Sequence, residues 1–211
     1  MQLLIVAATE MEIAPLREQN TSADFLITGV GSPACIYNLA KTLQKNKYDL
    51  VIQAGIAGTF SPGVQLADTV LVQKDLFADL GVCENGRFFS LFDTGLANRD
   101  EFPYTDGWLV NENSGLTDAA LRKVTSITVN TVKEDMQMAD QYVQKYQPDI
   151  ESMEGAAFHF VCLQERIPFL QLRSISNVVG ERDKSKWKLK EAIGNLNKEL
   201  LLLINQVAVK F

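Results

Sequence analysis

The chain has 211 residues, 46% of them hydrophobic, which is enough for one domain over 1–211 with a single large core; no Pro-, Gly- or Ser-rich stretch marks a boundary. A net charge of −6 and an isoelectric point of about 4.9 exclude a general attraction for nucleic acid or for an acidic membrane surface, and favour a small-molecule ligand. Cys35, Cys83 and Cys162 are odd in number and lack metal-ligand spacing, so they are expected to be reduced core thiols of a cytoplasmic protein that holds no metal.

Leu3 to Ala8 is a continuous apolar run, the pattern of a strand buried on both faces, and far too short for a signal peptide or a membrane span. Glu10 to Glu18 reads as a helix carrying Pro15 in its early turns, Phe25 to Thr28 as a short strand, and Gly29-Val-Gly31-Ser-Pro33 as a turn. Ala34 to Lys45 has the helical spacing Ile36, Leu39, Ala40, Leu43. Asp49 to Ala54 is a buried strand that runs into Gly55-Ile-Ala-Gly58, a glycine-spaced loop, and Asp68 to Gln73 is a further strand. Phe77 to Gly115 is rich in Gly, Asp and Asn and yields only loops with a hairpin around Asn85-Gly86; its aromatics Phe88, Phe89, Phe92 and Trp108 have no assigned place. Then follow strand Val124–Val129, helix Glu134–Tyr146, strand Asp149–Ser152, helix Glu154–Arg166, strand Phe169–Ile175 and a closing helix from Lys186 to Val207. Strands alternating with helices imply the α/β class, as a three-layer α/β/α sandwich with a mostly parallel, twisted central sheet.

The richest segment is Glu151-Ser-Met-Glu-Gly-Ala-Ala157 with Arg173-Ser-Ile-Ser-Asn-Val-Val-Gly-Glu-Arg-Asp183 after it. Glu154 opens a helix among small residues, and a carboxylate accepts two bonds side by side, which matches the vicinal diol of a ribose. Met153 offers a soft face to the sugar. Ser176 and Asn177 end a strand where open α/β sheets put their ligand groups, and an amide there can meet a purine edge. Each has a plainer reading: a carboxylate at a helix start answers the macrodipole, an Asn at a strand exit bonds its own backbone, and a Met beside a helix is core. Arg173 is a charge within a buried strand and needs a partner, Glu154 or Glu151. Glu10 and Glu12 follow the first strand directly, so at least one is expected in the crevice, able to activate water, although a first helical turn also favours acids for its own sake.

Gly29-Val-Gly31-Ser-Pro-Ala34 is rejected as a dinucleotide fingerprint because it follows a second strand and Asp49 opens, rather than closes, the next one; Gly55-Ile-Ala-Gly58 lacks the Lys of a phosphate loop. No cofactor is expected. His159, in an apolar helix face, reads as a core histidine. Arg182 to Lys186 with Trp187 reads either as a solvated helix start or as a cationic and aromatic lip.

Together these residues resemble the nucleoside phosphorylase and nucleosidase superfamily from the first strand to the last helix. Ala7-Ala-Thr-Glu-Met-Glu12, Gln53-Ala-Gly-Ile-Ala-Gly58, Ser152-Met-Glu-Gly-Ala-Ala157 and Arg173 to Asn177 are similar to segments of the methylthioadenosine/S-adenosylhomocysteine nucleosidases. The resemblance implies a nucleoside phosphorylase-like domain in which Glu12 activates water, Met153 and Glu154 hold the ribose, residue 177 contacts the purine N7, and the subunit forms a homodimer or larger homo-oligomer. Adenine-specific members carry Asp where this chain has Asn177 and Ser where it has Ile56. An amide donates to a 6-oxo group, so Asn177 favours hypoxanthine or guanine. Asn177-Val-Val-Gly-Glu-Arg-Asp183 followed by Trp187 resembles the futalosine hydrolases, which release hypoxanthine from futalosine on the alternative menaquinone route; the benzoate-like group of that substrate suits Arg182 or Lys186. No cations gather in the glycine turns to hold a phosphate, which favours water over phosphorolysis. A purine nucleoside phosphorylase, an adenine-releasing nucleosidase and a non-catalytic purine-binding sensor are the other readings.

Overall fold

The computed structural model describes residues 1–19, 21–113, 120–132 and 136–210. Its organising strand is β3 (Leu50–Thr59). Along one edge β3 pairs in parallel with β10 (Phe169–Val178) from Val51 to Thr59. Its other edge is divided. Leu50 to Gln53 pair in parallel with β1 (Leu3–Ala7), whereas Gly58 and Thr59 pair antiparallel with β9 (Ile150–Ser152). Between these two partners Ala54 to Ala57 have no strand beside them on that edge.

β4 (Thr69–Asp75) pairs antiparallel with β10 and parallel with β8 (Lys123–Thr128), and β8 pairs in parallel with β9. The order β3, β10, β4, β8, β9 and back to β3 therefore closes a ring, from which β1 and then β2 (Asp24–Ile27) extend as an open wing. β7 (Leu109–Val110) adds antiparallel to β4. The α/β class holds; among the described residues five of the eight pairings in this sheet are parallel and three antiparallel, so the sheet is mixed and partly closed rather than cleanly parallel. Closure comes from the antiparallel contacts of β9 with β3 and of β10 with β4.

The open wing explains the continuous apolar first strand. Leu3, Ile5 and Ala7 pack with Ile13 and Leu16 of α1 (Glu10–Arg17) and with Leu196, Leu200 and Leu203 of α5 (Leu189–Lys210). Leu4 and Val6 face Leu39 of α2 (Ser32–Leu43) and Phe158 and Val161 of α4 (Gly155–Gln164). With helices on both sides, alternate residues must both be apolar.

Three expectations need correcting. Gly55-Ile-Ala-Gly58 is not a loop: β3 continues through it because β10 pairs alongside as far as Thr59. β10 likewise runs past Ile175 to Val178, with a bulge between Ile175 and Asn177. Cys35 and Cys162 are buried, but Cys83 is exposed because it lies on the outer hairpin β5 (Gly81–Glu84) and β6 (Arg87–Ser90). That hairpin turns at Asn85 and Gly86, with φ of 51° and 76°, the paired positive values that a two-residue primed turn requires. α3 (Met136–Tyr146) occupies the place expected for the helix from Glu134, whose first residues lie outside the described ones.

Asn197 of α5 joins α5 to α1. Its Oδ1 accepts from Leu16 N–H at 3.1 Å and its Nδ2 donates to the Glu12 carbonyl at 2.8 Å, two groups one helical turn apart. Replacing Asn197 with Leu removes both bonds at a buried position, so urea unfolding is expected to show a loss of about 1–3 kcal/mol; an unchanged midpoint would mean that these bonds contribute nothing net.

Candidate functional site

The open stretch of the β3 edge is filled by a side chain. Thr9 caps α1 and Glu12 stands three residues later, forming a reciprocal capping box. Glu12 Oε2 accepts from Thr9 N–H at 2.9 Å and from the Thr9 hydroxyl at 3.0 Å, while Oε1 accepts from the Ile56 N–H at 3.1 Å, on the edge that no strand covers. Glu12 thus sits in the first turn of α1 and also borders the site cavity. It is only 4% exposed, whereas Glu10 lies on the outer face of α1 in an exposed pair with Arg17.

Glu154 occupies the N-cap position of α4 but does not cap it. Its Oε1 accepts from Gly31 N–H at 2.9 Å, and its Oε2 lies 3.7 Å from the guanidinium of Arg173. Burial pushes the Glu154 carboxyl above the ordinary carboxylate range, and Arg173 and the Gly31 amide draw it back down. Arg173 is 1% exposed and also donates to Gln53 Oε1 at 2.9 Å, so of the two expected partners it takes Glu154 and not Glu151. Gly55 makes this possible: a Cβ there would collide with the Arg173 guanidinium and come within 3.0 Å of Glu12 Oε1.

Asn177 stands opposite Gly58 just after the bulge. Its Nδ2 donates to the Val178 carbonyl at 3.0 Å, and its Oδ1 accepts from the Ser176 hydroxyl at 2.8 Å. A carbonyl only accepts, so the atom facing Val178 is the nitrogen, and one of its two hydrogens remains for a ligand. The expected local bonding of this Asn is present, and it orients the amide.

A cavity of about 250 Å³, near the lower end of the roughly 300–1,000 Å³ of small-molecule sites, joins these elements. Glu12, Ile56, Met153, Glu154, Ser176, Asn177 and Arg182 all line it; Arg173 does not, and lies behind Glu154. At the mouth, Arg182 is exposed with no ion-pair partner among the described residues, while Lys186 is paired with Glu181 at 2.6 Å and does not line the cavity. Trp187 also lines it and donates its indole N–H to the Glu181 carbonyl, so the loop is a lip to the site as well as a helix start.

Sequence reasoning missed part of the lining. Met11, Val30 and Val132 form a half-exposed apolar rim. Glu151 faces the cavity, and burial, with Asp79 nearby, pushes its carboxyl up to about 7; strand alternation about the buried Ile150 was the available signal. None of Phe88, Phe89, Phe92 and Trp108 reaches the cavity. Phe92 and Trp108 line a separate one of about 300 Å³ with Phe77, Tyr104 and Tyr146. His159 is fully buried as expected, its Nδ1 3.0 Å from the Leu109 carbonyl, and burial holds its pKa down at about 4. Among the described residues no group of three or more His, Cys, Asp or Glu side chains is placed to hold a metal ion.

The sequence matches the Phosphorylase superfamily over residues 25–205. It is 30% identical over 189 residues to the futalosine hydrolase of Thermus thermophilus, covering 88% of this chain and 83% of that protein. It is 24% identical over 247 residues to the 5′-methylthioadenosine/S-adenosylhomocysteine nucleosidase of Tolumonas auensis, covering 98% and 100%. Its fold is that of the nucleosidase of the same kind from Helicobacter pylori, solved with butyl-thio-DADMe-Immucillin-A: the TM-score is 0.81 over 98% of this chain and 99% of that one, at 16% identity. The family match runs from β2 into α5 and takes in β3, α4 and β10, the elements that build the site, and the chain belongs to the Phosphorylase superfamily.

Proposed function

We propose that this protein hydrolyses the N-glycosidic bond of futalosine, releasing hypoxanthine and dehypoxanthine futalosine, as a step of menaquinone formation. The observation that carries the reading is the convergence of Glu12, Glu154 and Asn177 on one nucleoside-sized cavity. The similarity to a futalosine hydrolase at 30% identity, against 24% for a 5′-methylthioadenosine/S-adenosylhomocysteine nucleosidase, supports the choice of substrate.

Cleavage of a purine nucleoside passes through a cationic, oxocarbenium-like ribose, by analogy with glycoside hydrolysis. Glu12 is the general base: three donors hold it in place, and its carboxylate borders the cavity where water would stand. Glu154 accepts from the ribose diol and places negative charge beside the developing cation, with Arg173 fixing its orientation from behind. Met153 lies against the sugar. Asn177, oriented by Ser176, donates its remaining hydrogen to the 6-oxopurine as charge moves onto it, and Ile56 borders the same space. Phosphorolysis is disfavoured by charge. Among the described residues Glu12, Glu151, Glu154 and Glu181 line the cavity against the single lining cation Arg182, and an incoming phosphate would meet repulsion there.

The reading includes one nucleoside phosphorylase-like domain over 1–211, with α1 and α5 on one side of the open wing and α2 and α4 on the other as the outer layers of an α/β/α sandwich. It also includes a cytoplasmic homodimer or larger homo-oligomer without nucleic-acid or membrane partners; the net charge of −6 disfavours a general attraction to nucleic acid or to an acidic membrane surface.

Chromatography of futalosine, inosine and methylthioadenosine incubated in phosphate-free buffer tests the reading as a whole: hypoxanthine release from futalosine is expected, and a strict requirement for phosphate would replace hydrolysis with phosphorolysis. Glu12→Gln is expected to lower kcat by about 10²–10⁴, the range of a general base, with substrate affinity retained; full turnover would move the base elsewhere. Asn177→Asp should shift the ratio of inosine to adenosine cleavage toward adenosine, and an unchanged ratio would remove residue 177 from base selection. Arg182→Ala should raise KM for futalosine about two- to fivefold, the scale of an exposed ion pair, and leave KM for inosine unchanged; equal effects on both would dissociate Arg182 from the substrate carboxylate.

A further inference from the structure

The sheet surface beneath the first turn of α4 is polar, whereas the reverse side of the same strands is apolar. Ile52, Ala54, Leu170 and Leu172 pack into the cluster shared with α1 and α5. Gln53, Gln171 and Arg173 alternate with them and point the other way, and Asp75 of β4 and Thr128 of β8 join them, all five 1% exposed or less. Buried polar groups need partners, and here they converge on the first turn of α4.

That turn is capped in an unusual way. Gly155 N–H donates to Ser152 Oγ at 3.2 Å, and Ala156 N–H donates to Thr128 Oγ1 at 2.7 Å. An amide can only donate, so the Thr128 hydroxyl accepts there and directs its own proton to Asp75 Oδ1 at 3.0 Å. Asp75 also accepts from Leu76 N–H at 2.8 Å and from Gln171 Nε2 at 3.4 Å. Gly155 leaves the space for this approach, since a Cβ there would collide with the Asp75 carboxylate and the Gln171 amide. The negative charge favoured at a helix N-terminus is thus supplied by Asp75 from the sheet below, and not by the residue at the N-cap.

We propose that Asp75, acting through Thr128, is a positioning residue: the pair takes over the capping of α4 and leaves the N-cap carboxylate of Glu154 turned toward the ribose. Without the pair, the first-turn amides of α4 are the nearest unsatisfied donors for Glu154, and its carboxylate turns back to cap its own helix. The inference rests on the reading of Glu154 as the ribose ligand.

The test measures kcat/KM of wild type, Thr128→Ser, Thr128→Val and Asp75→Asn on inosine, or on futalosine if it alone is turned over, each against its 3′-deoxy counterpart. A hydroxyl bonded to a carboxylate corresponds to a preference of about ten- to a hundredfold for the ribosyl substrate. That preference is expected in wild type and Thr128→Ser, and is expected to fall to within about threefold of unity in Thr128→Val and Asp75→Asn. A role in stability alone would lower both substrates together and keep their ratio, and a preference retained by Thr128→Val would overturn the inference while leaving the ribose assignment intact. A wild-type enzyme indifferent to the 3′-hydroxyl would overturn both. Should Asp75→Asn not fold, the near-isosteric Thr128→Ser and Thr128→Val pair decides.

Discussion

A strand has two edges, and β3 divides one of them between β1 and β9, which run in opposite directions relative to it. The two neighbours diverge, so a short length of backbone is left with polar groups that sheet pairing does not satisfy. Buried amides must find acceptors. Here the Ile56 amide finds the Glu12 carboxylate, and that bond draws the start of α1 over the gap and opens a cavity beside it. Much of the site's geometry follows from this division: the carboxylate is at the gap because the gap needs an acceptor, and the capping box on Thr9 holds it there.

The second constraint is electrostatic. Glu12 and Glu154 border the same small space, and two buried carboxylates repel each other. Arg173 stands behind Glu154, the Gly31 amide bonds it from the side, and Gly55 lets the guanidinium approach. The glycines of this region are therefore spacers for charged side chains at least as much as turn formers. Gly29, Gly31 and Gly180, with φ of 84°, 91° and 87°, are the ones here that need the conformational freedom glycine provides.

Polar residues within β3 and β10 have a third consequence. One face of these strands belongs to the core under α1 and α5; on the other, Gln171 of β10 joins Asp75 of β4 and Thr128 of β8 beneath the first turn of α4. α4 is anchored by directional bonds at its first turn and by Phe158 and Val161 further along. Directional bonds set the position of a helix end more closely than apolar contacts do, because they weaken steeply with angle and distance.

The elements and several of their outward signs were legible in the chain itself. Apolar runs with period two or 3.6 located most of the strands and helices, Asn85-Gly86 announced its hairpin, and the acidic, amide and arginine residues that line or back the cavity stood at strand ends and helix starts, where chemistry is usually found. Local pattern carries that information because it depends on neighbours in sequence. What Gly55 to Gly58 do was not legible: their spacing looks like a loop, and only β10 alongside keeps them extended. Nor was the sorting of Glu10 from Glu12, or of Glu151 from Glu154 as the partner of Arg173, since each pair is alike in sequence and is separated only by which side chain the fold turns inward. The closure of the sheet, the division of the β3 edge and the role of Asp75 all depend on residues brought together from distant parts of the chain. Sequence alone determined which groups were available and on which kind of element each stood; tertiary structure decided which of them meet, because pairing across a sheet and burial beneath a helix are properties of contacts that no local pattern encodes.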